Sequence, residues 1–242
     1  MKRAKHEDDE GAERLGADRV RCRAPDSGLS WTPRVRYASG NGNRSSQLAE
    51  ISLVDALKQR RTVRQFSNKA VALEALERLI WAAQGITGDQ GKRTAPSAHS
   101  LHPLRMRIVA DNVSGLAQGL YDVSSADLSL TPLDLPDTRS ALREASIGSP
   151  AWITDAACII VVCADMLGPI QAFSEQRPYG ARGARYVYLE AGAALQNIQL
   201  QAVAEGLGSV WVGGFDDGAV ASALGLKAPL SPIILLCVGW PD

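Results

Sequence analysis

Residues 185–205 constrain this chain more than any other stretch. Val187, Ala191, Ala194, Leu195, Ile198 and Val203 recur at helical spacing, and the helix they predict is apolar over a wide arc. Such a helix cannot lie on a surface with half of itself in water. It must be central to the fold or covered at a subunit interface. Gly206 and Gly208 stop it. A chain of 242 residues, 45% of them apolar, is long enough to bury such a helix in one good core and too short for two ample domains.

Other elements arrange themselves around that helix. Residues 1 to about 48 are charged and aperiodic, with scattered Gly and Ser, and read as a poorly ordered arm, although Trp31 and Tyr37 hint that its second half lies across a surface. Residues 49–242 form the domain. Ser52, with Asp55 three residues on, resembles a capping box and opens a helix to about Gln59. Leu76, Leu79, Ile80 and Ala83 predict a second helix over 73–84, with Arg78 on its surface and Gly85 ending it as a residue that tolerates positive φ. Residues 106–110 read as a strand, 111–148 as turns with a short helix at 138–146, and 157–163 as a β-branched run suited to a buried strand. A strand at 209–212, a helix at 217–224 capped by Asp216, and a strand at 233–238 follow. Helices dominate and strands are few and scattered, so the fold class is α+β. There is no internal repeat.

Several function classes are excluded. Lys+Arg and Asp+Glu balance at 26 each, so no global field favours nucleic acid or a membrane surface. The apolar runs at 156–164 and 233–238 fall short of the roughly 20 residues that span a bilayer. The first ten residues are charged and lack an apolar stretch, so no secretory signal is expected and the cytoplasm is the expected compartment. Cys22, Cys158, Cys163 and Cys237 show no CxxC spacing and no matching His pair, and read as buried reduced thiols. No metal cluster and no nucleophile–base pair is in sight.

Three constellations carry chemistry. In Arg60-Arg61-Thr62-Val63-Arg64-Gln65-Phe66, a helix ending near Arg60 and an extended chain beyond it would turn Arg60, Thr62 and Arg64 to one side. Two guanidiniums and a hydroxyl suit a phosphate and a ribityl chain, although the same run is also a solvated basic helix end. The second is the turn Ala95-Pro96-Ser97-Ala98-His99-Ser100-Leu101-His102-Pro103, whose backbone groups and hydroxyls could read the edge of a pyrimidine-like ring. It could equally be a plain loop. His99 and His102 lack a third ligand and read as loop histidines lining a cleft. In the third, a strand runs into Gly213-Gly214 and then a helix capped by Asp216, letting a ligand approach the main chain without a Cβ in the way. It is not GxGxxG, which disfavours a dinucleotide-binding Rossmann fold, and it could be an ordinary strand-to-helix turn.

Taken in order, these pieces resemble the nitroreductase family of FMN-dependent oxidoreductases over residues 51–240. The Arg60–Phe66 run resembles the family's amino-terminal flavin motif, and Ala95-Pro96-Ser97-Ala98 with His102-Pro103 resembles its flavin-edge loop. Glu190-Ala191-Gly192-Ala193-Ala194-Leu195-Gln196-Asn197, Gly206-Leu207-Gly208 and Gly213-Gly214-Phe215-Asp216 are similar to its core helix and isoalloxazine loop. Within the family, Trp81-Ala82-Ala83-Gln84-Gly85-Ile86-Thr87 followed by Arg93-Thr94-Ala95-Pro96-Ser97-Ala98 looks most like the SagB-type dehydrogenase branch.

The resemblance implies a nitroreductase-like fold, a central, mostly antiparallel sheet flanked by helices, built as an obligate-type homodimer. It implies bound FMN, with NAD(P)H as reductant. The cofactor-binding residues it implies are Arg60, Arg61, Thr62, Arg64, Pro96, Ser97, Ala98, Ser100, Gly213 and Gly214. Arg60 and Thr62 would hold the phosphate and ribityl end, and Arg64 would lie near flavin N1 as the electrostatic residue. Ser97 and Ser100 would face the pyrimidine edge, and the main chain of Gly213 and Gly214 would approach N5. Ser100 stands where many members have Asn. The sequence ends at Pro241-Asp242 without the basic residues many relatives carry there, so Arg60 and Arg61 are expected to supply more of the phosphate grip.

Three functions stay open. The first is hydride transfer from NAD(P)H to a nitroaromatic or quinone-like acceptor. The second is oxidation of thiazoline or oxazoline rings in ribosomal peptides. A Lys-Tyr pair would encourage that reading, but only Tyr179, Arg182, Arg185 and Tyr186 are near, with no lysine between Lys92 and Lys227. The third is a non-catalytic flavin-binding protein.

Overall fold

A computed structural model of the protein describes residues 51–87, 91–178 and 181–242. The arm expected over 1–48, with Cys22, Trp31 and Tyr37, lies outside the described residues, as does Tyr179. In chain order come helix α1 (Leu53–Gln59), strand β1 (Val71–Ala72), helix α2 (Leu73–Gln84), and strands β2 (Leu104–Ala110), β3 (Val113–Ser114), β4 (Gly119–Val123) and β5 (Leu130–Leu133). Helices α3 (Arg139–Ala145) and α4 (Trp152–Asp155), strand β6 (Cys158–Asp165), and helices α5 (Leu167–Ala172) and α6 (Arg182–Ala204) follow. Strand β7 (Gly208–Val212), helix α7 (Asp217–Ala223) and strand β8 (Leu230–Gly239) complete the order.

One six-stranded sheet, ordered β5-β4-β2-β6-β8-β7, organises these elements. Every neighbouring pair in it is antiparallel. Strand β6 lies inside the sheet with both faces covered, which is why its sequence is an unbroken apolar run without polar alternation. Cys158, Ile160, Val162 and Ala164 point into a core with Leu76, Leu79 and Ile80 of α2 and Val187, Leu195 and Ile198 of α6. Ile159, Val161 and Cys163 point the other way, onto Leu142, Ile153, Val220 and Leu224. Each fully buried side chain of this size contributes about 1.5–3 kcal/mol. Pro232 of β8 sits where the β6–β8 register shifts, a bulge that spares the missing N–H.

The helix caps follow the sequence. Ser52 Oγ accepts from the Asp55 N–H at 3.1 Å, and Asp216 Oδ1 accepts from the Ala219 N–H at 2.7 Å. Gly206, at φ +74°, ends α6 in the left-handed conformation. Cys158, Cys163 and Cys237 are free and buried, and burial pushes the Cys158 and Cys163 thiols up to about 12. No helix among the described residues is long and apolar enough to cross a membrane.

Four expectations need correction. The strands are not scattered: six form one sheet, and β1 and β3 pair in parallel as a second, two-stranded one. Residues 111–148 hold strands β3, β4 and β5 as well as turns and the short helix α3. Strand β5 carries Pro132 at the outer edge of the sheet, where no partner needs its N–H, so its sequence does not look like a strand. Gly85 has φ −60° and is required for space instead, because a Cβ there would lie 2.5 Å from the Trp81 ring. Finally, Arg78 is no plain surface residue. Its guanidinium donates twice, at 2.6 Å each, to the buried carboxylate of Glu205.

Candidate functional site

Helix α1 ends at Arg60, whose φ −53° and ψ 120° release the chain into an extended run. Thr62 pairs in parallel with Ser209 of β7, and the Val63 N–H donates to the Ser209 carbonyl at 3.0 Å. Farther on, Phe66 pairs with Pro241 and the Ser67 N–H donates to the Trp240 carbonyl at 2.9 Å. The arginine run is therefore a rail that covers the outer edge of β7. Its approach depends on Gly208, where a Cβ would come within 2.7 Å of Val63. Arg61 and Val63 line a hollow of about 260 Å³ with Val203, Leu207 and Gly208, and alternation turns Arg60 and Thr62 to the other side. Arg64 is exposed. Among the described residues, Arg60, Arg61 and Arg64 make no ion pair with a carboxylate.

Strand β7 then runs into Gly213-Gly214, roughly 13 Å beyond the Thr62 crossing at 3.3 Å per residue. The Gly214 carbonyl accepts from the Ile147 N–H at 2.9 Å, and a Cβ on Gly214 would sit 3.0 Å from Ile147 Cδ1. Ser146 pairs with Phe215, and the Asp216 N–H donates to the Ala145 carbonyl at 2.9 Å. The turn between α3 and α4 thus flanks the glycine pair. It is braced by Arg143 Nε, which donates to the Ser149 carbonyl at 2.9 Å, with Ser149 at φ +42°. Sequence reasoning missed this turn, for which Gly148-Ser149-Pro150 was the only signal. Neither the Gly213 nor the Gly214 N–H donates to an acceptor among the described residues.

The Pro96–Ser100 stretch is anchored elsewhere. Thr94 is tied to the carboxyl end of α2 through the Gly85 carbonyl at 2.9 Å and to Asn197 of α6 at 3.2 Å. The Ala98 N–H donates to Glu190 Oε1 at 2.7 Å, and the His102 N–H donates to Ser97 Oγ at 2.8 Å. His99, Ser100 and His102 all have positive φ, at 51°, 54° and 47°. The His99 ring packs 4.9 Å from Phe173, which in turn meets Tyr186 edge-on at 4.8 Å. Burial, with the Arg93 and Arg105 charges, holds His102 below the usual histidine range. Burial raises Glu190 above the usual carboxyl range, opposed by the Ala98 N–H and the nearby Ser97 hydroxyl. Pro96, Ser97 and Ala98 line a hollow of about 170 Å³ with Tyr186, Leu189 and Glu190.

The fold brings together the first and third constellations on β7 and anchors the second on α6. The rail meets α6 near Val203 and, through Ser209, at Gln199, whereas the loop meets it at Asn197 through Thr94 and at Glu190 through Ala98. Nine positions of helix, about 14 Å, separate Gln199 from Glu190. On the outer surface, Tyr188 and Leu189 of α6 are 58% and 63% exposed, and Leu53, Val54 and Leu57 of α1 are exposed as well.

A profile of the nitroreductase family matches residues 57–240. The chain belongs to the nitroreductase family. A Methanocaldococcus jannaschii protein with the provisional name nitroreductase MJ1384 is 32% identical over 196 residues, covering 79% of this chain and 92% of its own. A Ralstonia eutropha protein, also provisionally a nitroreductase, superposes with TM-score 0.67 at 23% identity, covering 84% of this chain and 88% of its own. A Desulfovibrio desulfuricans protein of the same provisional description, solved in complex with FMN, gives TM-score 0.55 at 25% identity, over 80% of this chain and 88% of its own. The nitroreductase-like α+β fold, a mostly antiparallel sheet flanked by helices, is thus established for this chain. The family is one of oxidoreductases, generally FMN-dependent. Among the described residues no group of three or more His, Cys, Asp or Glu could hold a metal ion.

Proposed function

We propose that this nitroreductase family protein is a homodimeric, FMN-dependent oxidoreductase that passes hydride between NAD(P)H and a small electrophilic acceptor, nitroaromatic or quinone-like. One observation carries the reading. The pairing of Thr62 with Ser209 lays an arginine run, without carboxylate partners among the described residues, along the strand that ends on two glycines whose N–H groups find no acceptor among those residues. Cationic forks at one end and bare backbone donors at the other fit a ligand with a phosphate and a polar, flat ring. When bound, FMN supplies hydride exchange at N5.

The protein's part is to bind and orient. Arg60 and Thr62 take the phosphate and ribityl end. Arg64 offsets negative charge on the reduced ring, and the Gly213 and Gly214 N–H groups meet its polar edge. Pro96, Ser97, Ala98 and Ser100 are anchored toward the amino-terminal half of α6, at Glu190, and in this reading the loop closing each site comes from a second copy of the chain. The exposed apolar residues of α1 and α6 support that dimer.

Anaerobic titration with NAD(P)H tests the activity. A yellow protein that bleaches supports the reading. A yellow protein inert to NAD(P)H that oxidises azoline peptides moves it to the peptide-dehydrogenase alternative, and a colourless protein that ignores added FMN ends it. Arg60→Ala should lower flavin retention by roughly tenfold or more, since a charged hydrogen bond is worth about 1.5–3 kcal/mol. Lys227→Ala, at an exposed loop position, should leave retention unchanged. Equal retention in the two variants rules out the phosphate assignment.

A further inference from the structure

Among the buried residues described within α6, Glu190 alone carries a charge. It is 7% exposed, sits among Val187, Ala191 and Ala194, and has no cation partner among the described residues. A buried carboxylate without a cation is unfavourable where an apolar side chain of similar volume would fit, so its presence asks for a compensating task. The partner it does have is specific: the Ala98 N–H, at 2.7 Å. That amide belongs to a turn with an unusual backbone, in which His99, Ser100 and His102 occupy the left-handed region without being glycine. Residues with a Cβ are disfavoured there unless their surroundings over-determine the conformation.

Four contacts hold the turn, one of them from Arg105 Nη1, which donates to the His102 carbonyl at 3.0 Å. Glu190 holds it from the helix, the His102 N–H closes it on Ser97 Oγ at 2.8 Å, and Phe173 packs under the His99 ring. Of these, only the Glu190 contact ties the turn's backbone by a hydrogen bond to the long, rigid helix. The same carboxylate forms part of the wall of the 170 Å³ hollow into which Pro96, Ser97 and Ala98 face.

We infer that Glu190 is a positioning residue, which clamps the 96–102 turn to α6 through the Ala98 amide and so fixes the groups that the turn offers to the flavin ring. The ligand half of this inference rests on the FMN reading above. The clamp itself does not.

The experiment compares Glu190→Ala and Glu190→Gln with wild type and with Glu77→Gln, a change on the exposed surface of α2. Hydrogen exchange at the Ala98 amide is measured in the full chain without flavin, and the FMN dissociation constant by quenching of flavin fluorescence. Glu190→Ala should speed Ala98 exchange and raise the dissociation constant, each by roughly tenfold, the equivalent of one lost hydrogen bond to a charged group. Glu190→Gln should fall between, because its amide oxygen still accepts from Ala98, and it carries the test should the alanine variant fail to fold. Ala98 exchange unchanged in both variants overturns the clamp. Faster exchange with an unaltered dissociation constant overturns its link to the ligand. Wild-type protein that takes up no FMN sinks the flavin reading separately, while the exchange result still decides the clamp.

Discussion

Arg78 and Glu205 show what a single residue decides. The carboxylate is buried, and its main counter-charge arrives from a helix 127 positions away in the chain. Among the described residues Arg78→Ala leaves that carboxylate with the Gln201 amide, so we expect a loss of about 2–3 kcal/mol in urea denaturation, below the full cost of orphaning a buried charge. An unchanged midpoint would show the pair to be thermodynamically idle. His102 makes a prediction of a different kind. Its imidazole is held below the ordinary value of about 6.5, first by burial and then by Arg93 and Arg105, so the fold favours the neutral ring. Stability from this group is therefore complete above about pH 6.5 and is lost as pH falls through the lower folded value. Melting temperature should drop more between about pH 7 and 5 in wild type than in His102→Gln. A steeper drop in the variant would reverse the assigned sign. Neither residue's state was legible beforehand, since sequence spacing says which side of a helix a residue takes and nothing of what the other chain segments bring to it.

Elements were more legible than residues. The spacing of Leu76, Leu79, Ile80 and Ala83 and the wide apolar arc of α6 announced both long helices, because a helix that must bury a stripe repeats it every 3.6 residues. Strand β6 announced itself by β-branching. Strands β4 and β5 did not: they are short, lie toward one edge of the sheet and include a proline, so neither alternation nor composition marks them. The arginine rail was foreseen as extended, but its attachment to β7 was not. That attachment depends on Gly208, and we expect Gly208→Ala to cost about 1–3 kcal/mol by pushing a Cβ into Val63, and to weaken flavin retention along with stability. Chemical denaturation and flavin content measured on the same variant test this. Full flavin content despite lost stability would show that the rail's seat on β7 does not matter to the ligand.

At the scale of the whole molecule, the ten predicted cofactor contacts divide between the rail and glycine turn carried on β7 and a loop anchored at Glu190 of α6. A dimer that joins them across its interface makes a sharp prediction. Arg60→Ala and a variant with the turn displaced, Pro96→Gly with Ser97→Gly, should each lose flavin alone. Refolded together, they should regain roughly a quarter of the wild-type sites, because half the dimers are mixed and each mixed dimer holds one intact site. No recovery on mixing, with light scattering still giving a dimer, would mean that each site is built within one chain. The sequence by itself determined the two long helices and the helices at α1, α3 and α7, though not α4 or α5, and it marked which strand is fully buried and which residue types could grip a phosphate or admit a ring. Those properties follow from local spacing and from side-chain chemistry. Only the tertiary structure decided that Gly208 seats the rail, that the 146–149 turn flanks the glycine pair, and that Glu190 reaches the Ala98 amide. Each of these is a contact between segments far apart in the chain, and the hydrophobic pattern that drives collapse carries no record of which distant partners will meet.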